Sequence, residues 1–78
     1  MKEIKLLYFG LIAELTGKEE ETIRLEEGTI GDLERRLLEQ YPDLASSSYR
    51  FAQNLELVTA DTPLADGEVA VLPPFAGG

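Results

Sequence analysis

Thr29-Ile30-Gly31-Asp32-Leu33-Glu34-Arg35-Arg36-Leu37-Leu38-Glu39-Gln40-Tyr41-Pro42 carries the clearest helical signal in the chain, and the fold class turns on what flanks it. Ile30, Leu33, Leu37 and Tyr41 recur at i, i+3, i+7 and i+11, a stripe that predicts one core-facing side, with Leu38 alongside. Thr29 stands three residues before Asp32, a variant of the capping box in which the hydroxyl accepts an early backbone N–H. Asp32 also lies in the first turn, where the helix dipole favours an anion. Pro42 disfavours helical backbone before it and closes the helix. Gly31 costs up to about 1 kcal/mol relative to alanine inside a helix, less near the first turn. Close packing is one reason to keep it, and the sequence leaves that open.

Strand signals lie on both sides. Upstream, Lys2 to Phe9 alternates, with Ile4, Leu6 and Tyr8 on one face and Lys5, Leu7 and Phe9 on the other. Gly10 to Thr16 reads as a short helix, with Leu11, Ile12 and Leu15 at helical spacing and Gly17 as its stop. Glu21 to Glu26 follows as a second strand, in which Ile23 and Leu25 alternate with Thr22 and Arg24. Downstream, Asp43 to Tyr49 carries three serines and reads as a surface loop. Short strands are expected near Arg50 to Gln53 and Leu55 to Thr59, then turn chemistry at Asp61-Thr62-Pro63 and Ala65-Asp66-Gly67. Glu68 to Leu72 is the last strand. Adjacent hairpins with one main covering helix and a short second helix give an α+β domain, not a doubly wound sheet. Residues 1–72 form that domain and 73–78 an extended tail.

Composition narrows the function. At 78 residues a fold buries only about 60 % of the surface its unfolded chain exposes, and the 44 % hydrophobic content suffices for one core. The chain has no cysteine, so disulfides and thiolate metal sites are unavailable and a cytoplasmic home is expected. It has no histidine, which removes the usual general base and the commonest metal ligand. A catalyst acting alone is therefore not expected, nor a bound metal. The net charge of −8 argues against nucleic acid as a partner. It can steer the protein toward a basic partner surface or simply keep it soluble. No stretch is long and apolar enough to span a membrane, and the N-terminus lacks signal-peptide architecture. Glu19-Glu20-Glu21 does not converge on a cation and reads as a solvated turn, and Ser46-Ser47-Ser48 as loop filler.

The chain ends in Pro73-Pro74-Phe75-Ala76-Gly77-Gly78. Two terminal glycines leave a main-chain carboxylate with no side chains to obstruct it, at an entropic cost if ordered. The proline pair favours a stiff, extended approach. Six extended residues reach about 20 Å, enough to place the Gly78 carboxylate deep in a partner's cleft. A frayed terminus is the plain alternative. Phe75 reads either as an aromatic anchor for a partner pocket or as a residue folding back on its own sheet.

Leu7-Tyr8-Phe9-Gly10, Glu14-Leu15-Thr16-Gly17, Asn54, Thr62-Pro63-Leu64-Ala65-Asp66-Gly67 and the run from Val69 to Gly78 together carry a resemblance. With them the chain resembles the ubiquitin-like sulfur carriers, most closely the molybdopterin synthase small-subunit family, nearly end to end. Two positions depart from the pattern. Glu68 follows Gly67 without an intervening acidic residue, and Gln53 stands where an apolar residue is common.

The resemblance implies a β-grasp fold, with the first strand parallel to the last. It also implies a cycle in which an ATP-dependent, E1-like enzyme adenylates Gly78 and a sulfur donor displaces AMP to leave a thiocarboxylate. The large subunit of molybdopterin synthase then takes that sulfur for the dithiolene of the molybdenum cofactor. No cofactor is bound by this chain itself; ATP belongs to the activating partner. Pro73, Pro74, Phe75, Ala76 and Gly77 form the partner-binding tail. Two relatives remain as alternatives, a sulfur carrier for thiamine thiazole synthesis and a ubiquitin-like protein modifier. If the first and last strands are neighbours, alternation puts Leu7, Phe9, Ala70 and Leu72 in an apolar patch opposite the core. That patch is either a partner surface or is covered by the short helix or a loop.

Overall fold

The computed structural model describes residues 2–26 and 28–74. In chain order the elements are β1 (Lys2–Tyr8), α1 (Leu11–Thr16), β2 (Glu20–Leu25), α2 (Ile30–Gln40), a 3-10 helix (Pro42–Ser46), β3 (Arg50–Gln53), β4 (Glu56–Val58) and β5 (Gly67–Leu72). The strands form one sheet in the order β2-β1-β5-β3-β4. β1 and β5 run parallel at its centre, with Leu6 opposite Val69 and Tyr8 opposite Val71. Every other pairing is antiparallel. This mixed sheet, crossed on one side by α2, is the β-grasp arrangement that the resemblance implies.

Alternation decides which face the helices cover. Ile4, Leu6, Tyr8, Val69 and Val71 point to one face and are buried, together with Ile12 of α1 and Ile30, Leu33 and Leu37 of α2. The expected stripe on α2 thus faces the core, and Tyr41 continues it as a partly buried cap residue. The helix opens as its sequence requires. The Asp32 amide donates to the Thr29 hydroxyl at 3.3 Å and the Thr29 amide to the Asp32 carboxylate at 2.8 Å, a complete capping box. Gly31 has its reason too: its amide donates to the Ala60 carbonyl at 2.7 Å, and a Cβ there would lie only 3.1 Å from that oxygen.

Two expectations need correcting. Residues 43–49 are not simply a surface loop, because Pro42–Ser46 winds a 3-10 helix that inserts Leu44 fully into the core. Pro42 ends α2 but starts this next turn, having no N–H to leave unsatisfied at a first helical position. β4 is also shorter than the expected 55–59. Leu55 belongs to the two-residue turn Asn54-Leu55, both residues at positive φ (50° and 72°) as a type I′ hairpin requires.

Candidate functional site

The uncovered face of the sheet is assembled by register. Leu7 pairs with Ala70, Ala70 with Ala52, and Ala52 with Leu57, so four strands lay down a continuous apolar row. One step toward the C-terminal end, Leu72 pairs with Arg50, and Phe9 lies just beyond the end of β1. With Leu55 and Pro73 these residues line an open groove of about 540 Å³. Phe9 is 46 % exposed and Leu57 62 %. Among the described residues neither α1 nor a loop covers the patch: Ile12 of α1 packs into the core on the other side. Sequence alternation therefore placed Leu7, Phe9, Ala70 and Leu72 on the face they occupy. It missed Ala52 and Leu57, because β3 and β4 are too short for alternation to choose a face, and it missed Leu55 by assigning it to a strand.

Charges on this face are arranged unevenly. Lys5 pairs with Glu20 and Arg24 with Glu3, each at 3.1 Å, toward the β2 edge. Arg50, at the tail end of the groove, makes no side-chain hydrogen bond or ion pair among the described residues, leaving its guanidinium available to an outside acceptor.

β5 runs directly into this corner. Pro73 is half-buried and lines the groove, while Pro74 is exposed. A Cβ at position 10 would sit 3.2 Å from Pro73 Cγ, and Gly10 has φ 57°, so glycine suits both the turn and the close approach of the tail's root. The remaining tail residues singled out above, Phe75, Ala76, Gly77 and Gly78, lie outside the described residues.

The opposite end of β5 is tied to the β3–β4 hairpin. The Asn54 amide donates to the Glu68 carbonyl at 2.9 Å, and the Glu68 amide donates back to the Asn54 side-chain oxygen at 3.2 Å. A Cβ on Gly67 (φ 124°) would come within 2.5 Å of that oxygen, so the pair Asn54 and Gly67 is needed together. Gln53, one of the two departures from the family pattern, acts as a clasp. Its amide donates to the Pro63 carbonyl at 3.1 Å, and its carbonyl oxygen accepts from the Ala65 amide at 2.9 Å.

On the core side sits a polar cluster that sequence reasoning assigned to a solvated turn. Glu21 accepts from the hydroxyls of Tyr8 at 2.5 Å and Tyr41 at 2.6 Å, and from Lys18 at 3.2 Å. Burial pushes the Glu21 carboxyl up, but the hydrogen bonds from Tyr41, Tyr8 and Lys18 outweigh it and hold the group below its ordinary value. Burial and the Glu21 carboxylate push both phenols up. The cluster joins β1, β2 and the end of α2. Among the described residues no group of acidic side chains is placed to hold a metal, and no helix is long and apolar enough to cross a membrane.

Comparison with known proteins matches these features over the full length. Residues 6–78 fit the ThiS family. The chain is 38 % identical to the molybdopterin synthase sulfur carrier subunit of Chlamydomonas reinhardtii, covering 97 % of this chain and 99 % of that one. It is 32 % identical to the protein of the same name from Caenorhabditis briggsae over the whole of both. Among solved structures, subunit 1 of a molybdopterin converting factor from Pyrococcus furiosus superimposes with a TM-score of 0.89 at 26 % identity, covering 96 % of this chain and all of that one. Small archaeal modifier protein 1 of Haloferax volcanii shares the fold at a TM-score of 0.84 and 22 % identity, with 96 % and 100 % covered. A β-grasp sheet with one bare apolar face, a Pro-Pro exit from its central strand and these matches lead to one assignment: the chain belongs to the ThiS family.

Proposed function

We propose that this protein is the sulfur-carrying small subunit of a molybdopterin synthase, with its reactive group at the carboxylate of Gly78. The observation that carries the reading is the bare apolar face ending at Pro73, where β5 hands over to a tail of Pro74, Phe75, Ala76, Gly77 and Gly78. The whole-length relatives named as sulfur carrier subunits of molybdopterin synthase support it.

The chemistry follows from the groups present. A carboxylate is a poor electrophile, so one Gly78 oxygen first attacks the α-phosphorus of ATP on an E1-like enzyme and pyrophosphate leaves. A sulfide-level donor then adds at the acyl carbon and AMP departs, leaving a thiocarboxylate. That group is a sulfur nucleophile that needs no cysteine, which suits a chain that has none. The sulfur bonds to the substrate carbon, water then adds at the acyl carbon and the acyl C–S bond breaks. Each loaded chain thus delivers one sulfur and returns as the carboxylate, and a dithiolene needs two deliveries. Acid and base groups come from the partners. Leu7, Phe9 and Leu72 are the docking surface for the large subunit, and the tail residues 73–77 thread its cleft.

Intact-mass measurement of the protein from its native cells tests the reading. One oxygen-for-sulfur exchange on the chain is expected; conjugates of Gly78 to lysines of other proteins would favour a modifier instead. Deleting Gly78 is expected to abolish sulfur transfer without lowering the melting temperature, and full transfer by the deleted chain would overturn the assignment.

A further inference from the structure

Leu55 violates two local preferences at once. It has φ 72°, a left-handed conformation in which a branched side chain is disfavoured and glycine or asparagine is the usual occupant. It is also 97 % exposed, so its side chain recovers nothing from its own core. The conformation is imposed by its surroundings: Asn54 is bound to Glu68 through both backbone and side chain, and Leu55 must close the turn into β4. A leucine strained at this φ and left in solvent gains nothing from its own domain, which indicates a contact made outside it.

Its position says which contact. Leu55 lines the same groove as Leu7, Leu57 and Leu72, at the hairpin end, while Pro73 marks the tail end. From Pro73 five residues remain to Gly78, a reach of at most about 18 Å in extended chain. A protein that holds the Gly78 carboxylate in its active site must therefore lie against the tail end of the groove, and one that covers the groove along its length also meets Leu55 at the hairpin end. The open guanidinium of Arg50 beside the tail root suits an acidic residue at the edge of that partner's apolar patch.

We propose that Leu55 is an anchor contact for the large subunit, a turn residue held in an unfavourable conformation so that its side chain projects past the rim of the groove into the partner. The proposal rests on the sulfur-carrier reading and on the docking face assigned above.

The test measures affinity and stability together, on the full chain against the large subunit of the same organism. Leu55→Gly and Leu55→Asn are expected to keep or raise the melting temperature, since both residues suit a positive φ, while weakening binding about tenfold. Leu57→Lys is measured in parallel as the probe of the docking face itself. If Leu57→Lys weakens binding and the Leu55 variants do not, the anchor is overturned and the docking face stands. If none of the three weakens binding, the docking face falls and the anchor with it. A lowered melting temperature in both Leu55 variants would make the leucine structural and refute the proposal. Weakened binding to the adenylating enzyme alone would assign the contact to the wrong partner and refute it as well.

Discussion

On the helix-covered face of the sheet Ile4, Leu6, Val69 and Val71 are wholly buried, whereas on the other face Leu7, Ala70 and Leu72, one residue along the same strands, are only half-buried. The residue types barely differ. What separates the two faces is the supply of covering elements: one helix of eleven residues, one of six and a short 3-10 turn, all on the same side. A 78-residue chain has no second layer to spend on the other face. Apolar side chains left there are disfavoured in a free monomer and make sense against a partner. The lesson is that hydrophobic alternation reports where a side chain points, not whether this molecule buries it.

Substitutions that treat the two faces alike should have unlike effects. Leu37→Ala removes a fully buried side chain from beneath the sheet and should destabilise the domain by about 3 kcal/mol, read from urea unfolding. Phe9→Lys, on the bare face, should leave the melt nearly unchanged but weaken binding to the large subunit by about thirtyfold or more in titration calorimetry. A collapsed melt for Phe9→Lys, or an unchanged one for Leu37→Ala, would break the comparison.

The smallest effect sharpens it by pH. Glu21 ties the covered face together through Tyr8, Tyr41 and Lys18, so Glu21→Gln should cost about 1–2 kcal/mol near neutrality. Because the folded protein holds this carboxyl below its ordinary value of 4.5, its contribution is present above that pH and is lost as pH falls through the folded value. The variant's acid-unfolding limb should therefore be shallower. It should not be flat, since Asp32, held low chiefly by its hydrogen bond from the Thr29 amide, still titrates. A limb identical to that of the parent protein would remove Glu21 from the account.

Legibility in the sequence followed the range of the interactions. The Thr29 and Asp32 capping box spans three residues and was readable in full. So were the faces of β1 and β5, where alternation runs long enough to choose a side. Leu44 was not readable, because a proline that ends one helix gives no sign that a 3-10 turn will return the next leucine to the core. Glu21 sat in an acidic run, and only the fold brings Tyr8 and Tyr41 to it from 13 and 20 residues away. Leu55 was misread because Asn54-Leu55 lacks the glycine that usually announces such a turn. Gln53 looked like a departure from pattern until the Pro63–Ala65 segment it holds was in place.

β5 lies in the middle of the sheet, bonded to β1 on one side and β3 on the other, and the tail continues from its end. A pull on the tail therefore runs along a strand whose hydrogen bonds lie across the direction of force. Those bonds share the load and must yield together, whereas a three-residue edge strand such as β4 could be peeled away bond by bond. A load applied to the chain beyond Pro74 would thus reach the domain through its central strand, which is bonded along both edges. On the sulfur-carrier reading proposed above, a partner drawing on that end would leave the body folded.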